Sequence, residues 1–247
     1  MWDDPRQLNA VAALVMVLAF AAMCWSALSW LVRQPAFAFH EVHIQGPLVR
    51  ASPAHVEAVI RDELSGTFFT MDLDKSRAAL ARVPWVRNVA LRRQWPRRLE
   101  ITVEEHVPLA RWNDTALMNM QGEVFTADYN DQLPQFSGPA SRAIEVADRY
   151  REWSALLAPL GLTLHEVSLS PRGGWHLRSA GHAGSLAVLL GRDEPAARLS
   201  RFVAIYGRTV GPLTRSGVEI EHVDLRYRNG FAARVPGFKE RPPKKTG

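Results

Sequence analysis

The chain has 247 residues, 47% of them apolar, 22% charged, and a formal net charge of +5. That is room for one large or two small domains beside a membrane segment. Its one cysteine, Cys24, excludes both a disulfide framework and a metal site of the Cys type.

The first element predicted is a membrane helix. From Leu8 to Val32 there is no charged residue, and about 20 apolar residues in helical form cross a hydrocarbon core of roughly 30 Å. Arg33-Gln34-Pro35 ends the run, and Trp25 and Trp30 lie toward its far end, where indole rings favour the membrane interface. Ala36-Phe37-Ala38 mimics a signal-peptidase site. The apolar run before it is too long for a secretory signal, however, and Met1–Arg6 is not basic. The expectation is therefore an uncleaved anchor. Arg6 on one side against Arg33 and Arg50 on the other does not settle orientation by charge. A short tail ahead of an N-terminal helix most often stays inside, so residues 1–7 are expected in the cytoplasm and the large remainder outside it. Cys24 lies within the membrane run, and the exported part must be stabilised by packing. The net positive charge suits an anionic membrane surface.

After the linker Arg33–Ala38, Phe39, Val42 and Ile44 alternate as a short strand stopped by Gly46-Pro47. Ser52-Pro53 opens a helix, with Ser52 as N-cap and Val56, Val59, Ile60 and Leu64 on one face, ending at Gly66. Asp72 caps a second helix carrying Leu73, Leu80 and Val83. Strands Trp85–Arg93 and Leu99–Val107 follow, joined by the turn Gln94-Trp95-Pro96-Arg97. The order β-α-α-β-β predicts a small sheet with two helices on one face.

The second half opens with strands at Leu109–Trp112, Ala116–Met120 and Glu123–Thr126, and Leu133-Pro134 and Gly138-Pro139 read as loop punctuation. In Ala143–Leu160 the residues Val146, Tyr150, Trp153, Leu157 and Leu160 recur at helical spacing. Strands are expected at Thr163–Ser168, Trp175–Arg178 and Ser185–Leu190, and a helix at Glu194–Thr209 with Leu199, Phe202, Val203 and Tyr206 inward. Last come strands Gly217–Arg228 and Phe231–Val235 around Asn229-Gly230, a strong two-residue hairpin signal. The alternation slips near His222, as a bulge would cause.

No phosphate loop or G-x-S-x-G elbow appears. His40 and His43 sit three apart on a strand and face opposite ways, and Glu104 and Glu105 point apart for the same reason. Arg92-Arg93-Gln94-Trp95-Pro96-Arg97-Arg98 has the look of a nucleic-acid reader. In an exported domain it reads instead as a hairpin tip facing solvent or lipid headgroups, and nucleic acid is not expected as a partner. The final strand has two readings. An open sheet edge accepts a partner's strand, with Arg226 and Arg228 facing acidic side chains; a terminal hairpin merely closes the sheet.

Several short words recur in order along nearly the whole chain: Pro84-Trp85-Val86, Trp95-Pro96, and Glu105-His106-Val107-Pro108-Leu109-Ala110. Then come Leu117–Phe125, Leu133-Pro134 with Gly138-Pro139, Leu190-Gly191-Arg192, Arg198–Phe202 and Val223-Asp224-Leu225-Arg226-Tyr227. The pattern resembles the FtsQ family of bacterial cell-division proteins. The resemblance implies an α+β chain: a membrane helix at 8–32, a POTRA domain at 39–107, a mixed or antiparallel β domain with two helices at 108–236, and a disordered tail at 237–247. It implies an essential divisome scaffold in the inner membrane at the septum that links early and late division proteins, with no catalytic residue, cofactor or metal. The implied partners are FtsB and FtsL on the periplasmic side and other divisome proteins. The family's contact positions fall on Arg172, Arg226, Tyr227, Asn229 and Gly230, and on the strand Phe231, Ala232, Ala233, Arg234 and Val235. Some relatives carry Trp near the end of that strand; here Val235 stands there, with Phe231 or Phe238 as the available aromatic anchor. The POTRA domain would serve recruitment to midcell through its second helix and last strand. Two alternatives are a POTRA-bearing transport or assembly factor, which lacks support in a chain with one such unit and no C-terminal barrel, and an anchored envelope enzyme, which needs a convergent polar pocket.

Overall fold

The structure, a computed structural model, describes residues 5–64, 66–181 and 184–236. The chain divides into two units, in sequence between His106 and Val107.

In the first unit, helix α1 spans Pro5–Val32. Its Asn9–Val32 segment is long and apolar enough to cross a membrane, and none of it is buried by the rest of the chain. The helix begins ahead of Leu8, since a proline is tolerated in the first turn. Its C-terminal end is not a free leash. The Val32 carbonyl, one of those left over at a helix end, accepts a hydrogen bond from the Thr67 hydroxyl at 2.7 Å. A 3-10 turn follows at Pro35–Phe37, Phe68 N–H donates to the Phe37 carbonyl at 2.8 Å, and Ala38 bridges to Thr67.

Strand β1 (Glu41–Gln45), helices α2 (Pro53–Glu63) and α3 (Leu73–Leu80), and strands β2 (Val86–Gln94) and β3 (Arg98–Glu105) complete the unit. The sheet order is β1-β3-β2, with β1 parallel and β2 antiparallel to the central β3. β3 alternates as predicted: Leu99, Ile101 and Val103 are buried, as are Val56, Leu80, Val89 and Leu91 elsewhere in the unit. Asp72 caps α3 as expected, its Oδ1 accepting from the N–H groups of Asp74 and Lys75. Ser52 occupies the N-cap position of α2, but its side chain makes no capping bond. The Glu105 carboxylate serves the turn before α2, accepting from Ala51 N–H at 2.7 Å and Arg50 N–H at 3.1 Å. Trp85 turns the chain from α3 into β2 with φ +74°, buried beneath the Arg50 guanidinium at 5.4 Å from the ring. Gly46, at φ +118°, leaves β1 where a Cβ would come within 2.2 Å of the Val103 carbonyl oxygen, so no other residue fits there without moving backbone.

Among the described residues the second unit is built on a nine-stranded sheet. Its strands are β4 (Pro108–Trp112), β5 (Ala116–Asn119), β6 (Val124–Phe125), β7 (Gln135–Ser137), β8 (Thr163–Leu169), β9 (Trp175–Gly181), β10 (Gly184–Gly191), β11 (His222–Asp224) and β12 (Ala232–Arg234). Across the sheet they run β12-β11-β10-β9-β8-β7-β4-β5-β6. The pairs β4–β7, β7–β8 and β10–β11 are parallel and the others antiparallel. Helices α4 (Ala143–Leu157), extended by a 3-10 turn at Ala158–Leu160, and α5 (Pro195–Tyr206) supply the inward stripes expected of them. Val146, Trp153, Leu157, Leu199, Phe202 and Tyr206 are buried, and Tyr150, Leu160 and Val203 pack against the same core.

Apart from the last hairpin, two elements depart from the sequence reading. Where loop punctuation was expected, β7 inserts between β4 and β8, with Phe136 fully buried. The helix predicted to run to Thr209 stops at Tyr206, and a separate helix, α6 (Val210–Arg215), follows. The expected tail at 237–247, with Phe238, lies outside the described residues.

Candidate protein-binding edge

β12 is the outermost strand of the large sheet, antiparallel to β11, with His222, Val223 and Asp224 opposite Arg234, Ala233 and Ala232. Among the described residues no strand pairs with its outer side. Ala232, Ala233 and Arg234 are exposed, and Phe231 and Val235 on either side are half-buried against the core. Arg234 pairs with Glu221 at 3.0 Å.

The tight hairpin expected at Asn229-Gly230 is corrected by this register. The strands are three residues each, and Leu225 to Phe231 form the connection. No bulge lies at His222 either: β11 simply begins there, so Ile220 belongs to the approach and the apparent slip is a strand boundary. Leu225 continues the ladder for one more bond, donating its N–H to the Leu189 carbonyl at 2.9 Å. Arg226 and Arg228 therefore do not share a strand face. The Arg226 backbone N–H and guanidinium both turn back on Asp224, with Nε at 2.9 Å from Oδ1 and Nη2 at 2.7 Å from Oδ2. This grip holds the Asp224 carboxyl below the usual carboxylate range, against burial, and raises the Arg226 guanidinium.

Because the Asp224 pKa is depressed on folding, its contribution is present at neutral pH and lost as the pH falls below about 4, the ordinary Asp range. Asp224→Asn is expected to cost about 1–2 kcal/mol at pH 7, since Arg226 is partly solvent-screened. Urea unfolding of the full chain in detergent checks this. The gap between wild type and variant should close as the pH is lowered from 7 to 3; a gap that stays constant contradicts the assignment.

The connection and α5 together enclose a groove of about 520 Å³, lined by Arg198, Arg201, Ile205, Tyr227, Asn229 and Phe231 among others. Tyr227 is 58% exposed at its rim. Phe231 does not act as an outward anchor: its ring meets Phe202 edge to face at 5.5 Å and fastens the connection to the core. Arg198 donates to the Leu190 carbonyl at 2.7 Å, and Arg201 reaches the Arg228 carbonyl at 3.4 Å. No acidic side chain pairs with Arg201 or Arg228 among the described residues. Arg172 sits apart, exposed in the turn between β8 and β9 at the same end of the sheet, with β9 and β10 between it and β11. The α5 residues were the part of the groove that sequence reasoning did not assign. Arg198, Arg201 and Ile205 step by three and four on the flank of α5 beside its buried stripe, a signal present in the helical spacing itself.

The fold and this edge define a class: a membrane-anchored protein with a small β-α-α-β-β domain and a mixed-sheet domain. Residues 37–106 match the family model described as POTRA domain, FtsQ-type, and residues 110–226 match Cell division protein FtsQ/DivIB, C-terminal. The chain is 38% identical to Cell division protein FtsQ of Burkholderia pseudomallei, over 97% of this chain and 96% of that one. It is 37% identical to Cell division protein FtsQ of Nitrosospira multiformis, over 95% and 99% respectively. For Cell division protein FtsQ of Bordetella pertussis the identity is 36%, over 94% and 92%. The chain belongs to the FtsQ family of cell-division proteins. With its apolar helix α1, it is a single-pass membrane protein.

Proposed function

We propose that the chain is a non-catalytic divisome scaffold that captures the FtsB–FtsL pair by accepting a strand on the outer edge of β12. Its short N-terminal tail lies in the cytoplasm, α1 crosses the inner membrane, and the two folded units work on the periplasmic side at the division septum, linking early and late division proteins. The open edge of β12 carries this reading. Unpaired backbone N–H and C=O groups at a sheet edge are a template for another chain, and Ala232 and Ala233 put only methyl groups on this one. The groove beside it adds side-chain selectivity: an apolar floor at Ile205 and Phe231, with the Arg201 and Arg228 guanidinium groups for an acidic segment.

The test is calorimetric titration of the full chain in nanodiscs with the soluble parts of FtsB and FtsL. Wild type should bind, and Tyr227→Ala should weaken binding by about tenfold, the loss of a rim aromatic. Absence of wild-type binding, or a Tyr227→Ala variant that binds as wild type, counts against the reading.

A further inference from the structure

We propose that the first unit rests on the bilayer surface through an aromatic and basic face at the end of α1, with anionic phospholipid headgroups as its ligand. This goes beyond partner capture at β12 and rests only on α1 spanning the membrane. The face is a chain of touching rings. Phe37 meets Phe69 edge to face at 5.3 Å, Phe69 meets Phe68 at 5.2 Å, and Phe68 meets Trp95 at 5.6 Å. The rings thus run from the foot of the membrane helix to the tip of the β2–β3 hairpin. A cluster buried for stability alone would hide its members, yet Phe69 is 49% and Trp95 68% exposed.

Its position supplies the partner. Thr67, two residues before Phe69, bonds the last carbonyl of α1, so the exposed rings adjoin the point where the chain leaves the hydrocarbon. Trp30, on the last turns of α1, is itself 67% exposed, in keeping with an aromatic belt at that depth. The same end of the unit is basic. Arg33 and Arg97 are exposed and have no acidic partner among the described residues. Glu41 is neutralised by Arg98 at 2.7 Å. A cleft of about 350 Å³ between them is lined by His40, Glu41, Trp95, Arg97 and Arg98. Exposed aromatic rings flanked by arginines are the combination that inserts at the headgroup boundary of anionic bilayers. The register shows that the opposite end points away. β1 runs from Glu41, beside Arg98, to Gln45, beside Thr102, so the start of α2 near Ala54 lies at the far end from the hairpin tip.

The experiment uses the full chain in nanodiscs containing phosphatidylglycerol. Cys24→Ser removes the native thiol, and a fluorophore is attached through Gln94→Cys at the tip or Ala54→Cys at the far end. A nitroxide on the lipid headgroup quenches whichever label touches the surface. Quenching at position 94 is expected to exceed that at position 54 by about threefold or more. Trp95→Ala or the pair Arg33→Glu and Arg97→Glu should each cut the excess about twofold. Equal quenching at the two positions overturns the proposal and leaves the face to a protein partner or a second copy of the chain. An excess that survives the charge reversal overturns the assignment of anionic headgroups.

Discussion

Of two variants, Ala232→Pro and Ala233→Pro, one is expected to retain the wild-type unfolding temperature and bind FtsB–FtsL at least about a hundredfold more weakly. Successive residues of an antiparallel edge strand alternate, one directing its N–H and C=O to the neighbouring strand and the next directing both outward. Ala232 and Ala233 are adjacent on β12 and both exposed, so one N–H faces β11 and the other faces solvent. Proline removes the donor in either place and adds a ring on that side. At the outward position the ladder to β11 survives while the docking edge is lost. At the inward position β12 loosens, and unfolding temperature falls with binding. Side-chain recognition alone would leave the outward variant untouched, because alanine and proline are both small and apolar. Thermal unfolding alongside calorimetry distinguishes the cases, and normal binding by the thermally unaltered variant removes strand addition from the account.

The second large effect concerns the core beneath that edge. Trp153→Ala should destabilise the second unit by about 3–5 kcal/mol, the range for deleting a buried aromatic. Trp153 is fully buried on α4 and meets Trp175 of β9 edge to face at 5.0 Å. β9 stands in the sheet interior next to β10, which carries β11 and then β12, so the cavity would open behind the strands that hold the edge in place. Trp153→Phe is the informative companion. The Trp153 indole N–H is buried without a hydrogen-bond partner among the described residues, and phenylalanine keeps much of the ring while discarding that donor. Its cost should stay within about 1–2 kcal/mol. Urea unfolding followed by circular dichroism reads both variants; equal losses would mean that the missing volume matters less than the particular shape of the indole.

Pattern made the long elements legible. The charge-free run is read by its length, whereas the alternation of β3 and the helical stripe from Val146 to Leu157 depend on periodicity over many residues, and burial follows that periodicity. Short elements gave no such signal. β7 has three residues, Gln135–Ser137, and only its insertion between β4 and β8 makes it a strand. α6 contains Gly211 and Pro212, residues that argue against a helix, yet Pro212 falls in its first turns and Val210 is buried. Asn229-Gly230 advertised a tight hairpin, but tertiary bonds prevailed: Asp224 gathers Arg226, and Phe231 docks on Phe202, so the chain takes a longer path. The edge strand itself was visible in the sequence. The α5 wall of the groove was not assigned, because its residues approach the connection only through the fold.

The bond from Thr67 to the last carbonyl of α1 has a mechanical corollary. With the Phe37–Phe68 bond and the Ala38–Thr67 bridge, it makes the passage from helix to first unit a mount with little torsional give. Rotation of α1 about its own axis, imposed by a neighbouring helix in the bilayer, would swing the β2–β3 tip through an arc, as a crank handle follows its shaft.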